Sequence, residues 1–431
     1  MTIFDALKTT FSRTIFISVI SFATSVLIAR IYGPEGNGTI SIALLLPLFL
    51  TQFLDLGLTP ANTYLIAKER YSHIDVKQRL LPLFVLILIS GSIIGSAIIW
   101  FFGRKIFPGI PTNILLLSLV LFPITITRNI VLSAHHGLQD FKTINRSYSL
   151  QAAGYLTLVI LLLIYDTPDI KYVLGANIAS QLLNAIYLLH QWRNIPPRLS
   201  QKLPSNYVTS ALRYGVPAQS SNLITFANYR LDLFMVNFYV SPASAGIYAI
   251  STTLVEKIWV ASTVASTVMF PKQSSELDEQ KKTEITILSA QLIAVLALVS
   301  GMTLAIIAKP FIFYVFGSPY LSSVSLIYVL LPGVTCFSVS RILANDLASR
   351  GLPKYNLCGA VVQLFINFVL NIILIPKFGI VGAALATSIA YFIDTVLRIF
   401  LFCRVARTKI SNLANFSISL KFTKILVKQK M

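Results

Sequence analysis

Six ionisable residues, Arg128, Arg230, Asp232, Glu256, Lys257 and Arg341, lie inside stretches of apolar sequence. A charge in hydrocarbon costs at least about 2.5 kcal/mol, so such residues face a protein interior or a wet cavity and mark function by default. Four of them fall between Leu212 and Lys272, in two apolar segments joined at Ser241-Pro242-Ala243-Ser244. An arginine presents a planar fork of donors that matches a phosphate oxyanion. Arg128, Arg230 and Arg341 are therefore candidates to bind a substrate anion. Asp346 lies five residues from Arg341 and off its helical face, so it leaves that arginine without an obvious acidic neighbour. Counted from the Pro242 turn, Asp232 and Lys257 differ in depth by about 6–7 Å. A lysine stem covers that span, so they are expected either to lock two helices as a pair or to belong to the site.

Helical projection sorts the remaining intramembrane polar residues into stripes. Gln52, Asp55, Thr59, Asn62 and Thr63 share one face, and Asn177, Gln181, Asn184 and Gln191 another. Gln219, Asn222, Tyr229, Arg230 and Asn237 form a third; Arg341 joins Ser338, Asn345 and Ser349, and Asn367 joins Gln363 and Asn371. From these, Gln52, Asp55, Asn62, Gln219, Asn222, Glu256 and Asn367 are the expected polar lining of a cavity. Asp55 and Glu256 are its titratable members, placed to exchange arginine partners. The bland alternative is hydrogen bonding between helices, worth about 0.6 kcal/mol per contact.

The elements that would hold these residues are transmembrane helices. Of 431 residues 55% are hydrophobic and only 12% charged, which marks a polytopic membrane protein rather than a soluble globule. Twelve apolar segments are each long enough to span a bilayer: 12–32, 39–64, 79–103, 112–134, 146–166, 172–192, 210–240, 244–270, 284–308, 321–347, 355–375 and 380–403. The net charge of +19 comes mostly from lysines and arginines between segments, so it reads as a topology signal and not as nucleic-acid binding. With the N-terminus in the cytoplasm, about 25 of them lie inside against 6 outside. Both termini are then cytoplasmic. Cys336, Cys358 and Cys403 match no metal spacing, and His135 with His136 lacks ligands at metal spacing. No nucleotide-binding loop and no nucleophile–base pair is found.

The chain also repeats itself. Tyr32-Gly33-Pro34 leading to Gly38 recurs as Tyr239-Val240-Ser241-Pro242 leading to Gly246. The run Ala134 to Phe141 recurs at Ala348 to Tyr355, and Gly175 to Ser180 at Gly382 to Thr387. Each recurrence lies about half a chain away with an even number of segments between. This predicts an all-α fold of two parallel six-helix lobes around a central cavity, as in transporters with a midplane site between halves. The expected lobes are residues 1–192 and 207–403, with a proline-rich cytoplasmic linker at 193–206 and a basic cytoplasmic tail at 404–431.

These motifs resemble the polysaccharide flippases of the multidrug/oligosaccharidyl-lipid/polysaccharide exporter superfamily, the O-antigen type above all. The resemblance rests on Ala29-Arg30-Ile31-Tyr32-Gly33-Pro34-Glu35-Gly36, Leu54-Asp55-Leu56-Gly57-Leu58 and Tyr214-Gly215-Val216-Pro217. It continues through Arg230-Leu231-Asp232, Ala245-Gly246-Ile247-Tyr248-Ala249, Phe270-Pro271 and Gly379 to Thr387. It implies a non-enzymatic carrier in the bacterial cytoplasmic membrane that moves a polyprenyl-pyrophosphate-linked glycan outward by alternating access. Membrane lipid and other polysaccharide-assembly membrane proteins are the expected partners. No cofactor is expected; a proton gradient, a sodium gradient or the membrane potential is the candidate drive. The alternative on the same fold is an ion-coupled exporter of small cationic compounds. That function calls for an acidic cavity, whereas arginines outnumber acids on the inward faces. A membrane glycan polymerase or ligase, the enzymatic reading, usually has a sizeable external loop, and every connection here is short.

Overall fold

The computed structural model describes residues 3–69, 73–165, 169–193, 207–275 and 278–415. The linker expected at 193–206 falls outside them from residue 194, and the tail falls outside them from residue 416. Among the described residues every regular element is helical. In chain order these are α1 (Ile3–Ala43), α2 (Leu45–Leu54), α3 (Leu58–Glu69), α4 (His73–Ala97), α5 (Gly103–Ile106), α6 (Thr112–Leu119), α7 (Leu121–Gly137) and α8 (Phe141–Ile164). They continue as α9 (Ile170–Arg193), α10 (Tyr207–Tyr239), α11 (Pro242–Val255), α12 (Trp259–Ser275), α13 (Glu279–Phe311), α14 (Ser323–Ser349), α15 (Pro353–Val405) and α16 (Ile410–Ala414).

Eight described helices are long and apolar enough to cross a membrane. Two of them hold two expected segments each. The breaks fall at Gly33 (φ 62°) in α1 and Gly379 (φ 58°) in α15, where only glycine enters the left-handed region without strain. The seventh and eighth segments fall on α10 and on α11–α12, whose polar residues lower their hydropathy. The chain is thus an all-α polytopic membrane protein, and each of the twelve segments is mainly helical where described.

The chain divides into two compact units. One comprises residues 1–226 with 241–246, the other residues 227–240 with 247–431. In the first, Val131, Leu132, Ile144 and Leu188 form a buried cluster of α7, α8 and α9. In the second, Ile287, Ala290, Ile293, Ile342, Leu343 and Phe402 knit α13, α14 and α15 together. In lipid, close packing and hydrogen bonds hold such helices together, because the tails are as apolar as the side chains. The outward faces remain apolar: Trp100 is 78% and Ile306 79% exposed. Each unit also has a helix that ends in an aromatic π-helical turn closed by glycine. These turns are Ile98–Phe102 before Gly103 and Ile312–Phe316 before Gly317. This is a further trace of the repeat, one not visible in the motif comparison.

Candidate functional site

In the second unit, the 3₁₀ turn Glu256–Ile258 interrupts the path from α11 to α12 and gathers the charges. Arg230, Lys257 and Arg341 are the cations whose fields act on Glu256. Arg341 is held by neutral partners: Nη1 donates to Tyr229 Oη at 3.2 Å and Nη2 to Thr263 Oγ1 at 2.9 Å. Its guanidinium carbon stands 5.3 Å from the centroid of the Trp259 ring, a cation–π contact. Trp259 is fixed in turn by donating Nε1–H to Val334 O at 3.1 Å and by packing on Phe337 and Tyr391. Among the described residues no carboxylate reaches ion-pair distance of Arg341; Asp346 is bound to Arg350 at 2.6 Å instead. Arg230 and Lys257 are exposed. Arg230, Lys257 and Arg341 therefore share one electrostatic group with the acids Glu256 and Asp232.

The pair expected of Asp232 and Lys257 is not formed. Asp232, 5% exposed, accepts from Asn371 Nδ2 at 2.7 Å, from Tyr248 Oη at 3.1 Å and from the Thr387 hydroxyl. Asn371 Nδ2 also donates to Asn367 Oδ1 at 2.9 Å, so Asn367 enters this cluster, itself buried rather than lining open water. No lysine, arginine or histidine among the described residues lies within ion-pair distance of Asp232. Asn371 Oδ1 is buried without a donor. A buried carboxylate with hydroxyl and amide oxygens and an orphaned acceptor fits a proton or a small hard cation. The reason for the correction is geometric. Asp232 faces α11 and α15, whereas Lys257 leaves the 3₁₀ turn on its exposed side.

In the first unit, Gln52, Gln219 and Asn222 are brought together. Gln219 Nε2 donates to Gln52 O at 2.6 Å and to Gln52 Oε1 at 3.1 Å, and Asn222 Nδ2 to Gln219 Oε1 at 3.4 Å. Asp55 departs from its expected place on the wet face. The chain turns left-handed at Leu56 (φ 49°) and Gly57 (φ 78°), and Asp55 caps the restarted helix α3. Its Oδ2 accepts from Thr59 N at 3.3 Å and its Oδ1 from Thr59 Oγ1 at 2.6 Å. Asn62 is buried and accepts from Tyr207 Oη at 3.2 Å, a helix-to-helix bond rather than a cavity contact.

Arg128 lies on a cavity of about 470 Å³ within the first unit, between α1, α7, α8 and α9. Its Nη1 donates to Gln151 Oε1 at 2.8 Å and its Nη2 to Asn129 Oδ1 at 3.2 Å. Gln151 Oε1 also accepts from Asn184 at 3.1 Å, and Gln181 donates to Asn177 at 2.8 Å. Sequence reasoning placed Asn177, Gln181 and Asn184 on one face but missed Gln151, Tyr148 and Tyr155, which lie outside every stripe. It likewise missed Tyr248 and Thr387, partners of Asp232 that carry no charge to draw attention.

The sequence matches the family described as polysaccharide biosynthesis protein over residues 27–325. Two relatives from Haloferax volcanii are each 26% identical. One, named a probable low-salt glycan biosynthesis flippase, Agl15, aligns over 39% of this chain and 36% of its own length. The other, named a probable flippase, AglR, aligns over 56% and 51%. The alignments thus span about a third and about half of those relatives' lengths. Among solved structures, the lipid II flippase MurJ in an inward closed conformation superposes with a TM-score of 0.78 at 17% identity, covering 95% of this chain and 89% of that one. An inward-facing multidrug resistance MATE family transporter of the MOP superfamily follows at TM-score 0.74 and 13% identity, covering 91% and 94%. These similarities establish a shared transporter fold.

Proposed function

The chain belongs to the polysaccharide biosynthesis protein family, and from that membership we propose that it carries a polyprenyl-pyrophosphate-linked oligosaccharide, such as an O-antigen-type unit, across the cytoplasmic membrane by alternating access. The observation that carries this reading is Arg341. A guanidinium stacked on Trp259 and bonded only to hydroxyls keeps its charge available to an incoming anion. Exposed Arg230 supplies the second cation that a pyrophosphate calls for. Amide-bearing side chains suit sugar hydroxyls, and the polyprenyl tail stays in lipid. Glu256 sits among the cations and competes with the substrate for them, so that binding and release exchange partners rather than expose bare charge. The two termini lie in the cytoplasm on this reading, and other polysaccharide-assembly membrane proteins receive the cargo.

Drive comes from Asp232. Protonation or a small cation there neutralises a buried carboxylate held by α10, α11 and α15, which couples its charge to the packing of those helices. The protein acts as a carrier and not as a transferase.

A second reading, an ion-coupled exporter of small cationic compounds, is favoured by the fold shared with the MATE transporter and by two acids, buried Asp232 and half-buried Glu256. Vesicles containing the purified protein distinguish the two. With no nucleotide added, a fluorescent pyrophosphate-linked glycolipid should become accessible on the opposite leaflet, while a lipophilic cation should not be moved. The reverse result would establish the exporter.

A further inference from the structure

We propose that the cavity of the first unit is a recognition subsite for an acidic sugar residue, with Arg128 binding its carboxylate; this rests on the reading of the chain as a glycan carrier. The cavity's size, about 470 Å³, lies within the roughly 300–1,000 Å³ of small-ligand sites. Its lining holds one formal charge, the Arg128 guanidinium, and no carboxylate. The acceptors that hold Arg128, namely Gln151, Asn129 and, at 3.4 Å, Gln181, are neutral amides, so they orient the guanidinium without cancelling its charge. Its Nε–H is buried and has no protein acceptor.

A half-buried cation held only by neutral groups is costly, and a monoanion entering beside it reduces that cost. The rest of the lining sets the ligand's chemistry. Gln151, Asn177 and Gln181 offer both donors and acceptors, the pattern that sugar hydroxyls use. Tyr148 and Tyr155 present amphipathic rings to the same space, and apolar walls come from Ile17, Ile28 and Ile40. A lipid pyrophosphate demands more than one cation, and this cavity supplies one. A single carboxylate on a hydroxylated ring matches the charge and the donors together.

The test uses the full-length protein in nanodiscs and ligand-observed saturation-transfer NMR. The probes are methyl β-glucuronoside, methyl β-glucoside and inorganic phosphate. The glucuronoside should give a saturation signal at least tenfold above the other two. Arg128→Gln should abolish it. Ala152→Phe, which fills the cavity without touching the charge, should do the same and stands in should Arg128→Gln not fold. Equal signals from glucoside and glucuronoside would overturn the acidic-sugar assignment. So would displacement of the glucuronoside by stoichiometric phosphate, or binding unaffected by Ala152→Phe. Translocation of a lipid-linked glycan that carries a glucuronic acid residue is read separately. If it proceeds while no glucuronoside binds, the subsite falls and the carrier reading stands; if it fails while glucuronoside binds, the carrier reading falls.

Discussion

Gly38 and Gly246 cross backbone to backbone. A Cβ on Gly38 would lie 1.7 Å from Pro242 O, and one on Gly246 would lie 2.0 Å from Pro34 O. The two contacts mirror one another, because Pro34 and Gly38 correspond to Pro242 and Gly246 in the internal repeat. The repeat read from sequence is therefore also a place where its two copies meet. Neither carbonyl can move aside as a flexible side chain would, so Gly246→Ala forces the helices apart. A loss of about 1–3 kcal/mol is expected, as for overpacking elsewhere, read as a lowered unfolding midpoint of the purified protein. Gly175→Ala, at a helical position with nothing within 4 Å, should leave that midpoint unchanged or raise it slightly.

Asp55 separates a capping role from a coupling role. Asparagine caps a helix about as well as aspartate. Asp55→Asn should therefore keep transport within about twofold, while Asp55→Ala should cost about 0.5–2 kcal/mol of stability. Loss of transport in a well-folded Asp55→Asn protein would restore the residue to the coupling machinery.

The span count, the repeat and the intramembrane charges were legible in the sequence because hydrophobic length and charge are local properties. Partnerships were not. Asp232 finds Tyr248, Asn371 and Thr387 at separations of 16, 139 and 155 residues, on two other helices. A helical projection gives the face of a residue but not the element packed against it. Depth counting put Lys257 within reach of Asp232 and could not show that the 3₁₀ turn aims it elsewhere. Asp55 was misplaced because an unbroken apolar run from 39 to 64 concealed the left-handed turn at Leu56-Gly57.

Asp140 offers a pH test outside the membrane spans. Partial burial pushes its carboxyl up, but hydrogen bonds from the Thr143 side chain and backbone and from His135 outweigh this and hold it below its ordinary value. A depressed folded value stabilises the fold above the unfolded pKa, and that contribution is lost as pH falls through the folded value. Asp140→Ala should thus lower stability by about 0.5–2 kcal/mol at pH 7, as for loss of a helix N-cap. The difference between the two proteins should begin to shrink below about pH 4, near the unfolded value, and close only as the folded carboxyl, held below that value, takes up its proton. Chemical denaturation at pH 7 and pH 3 measures both.

Asp232→Asn keeps the shape of the buried carboxylate and removes its charge. Transport driven by an imposed proton or sodium gradient should fall at least tenfold, while exchange without a gradient persists. Gradient-driven transport at the wild-type rate would remove Asp232 from the coupling step.

The central claim is that unit-two arginines, released from carboxylate pairing, bind the pyrophosphate of a lipid-linked glycan. Its most direct measurement is the translocation rate of one fluorescent polyprenyl-pyrophosphate glycan in vesicles carrying wild-type protein, Arg341→Gln or Arg341→Lys. Wild type should move the lipid, Arg341→Gln should be at least tenfold slower, and Arg341→Lys should stay impaired because a point charge cannot replace the planar fork. Equal rates for wild type and Arg341→Gln, or no translocation by wild type, would contradict it.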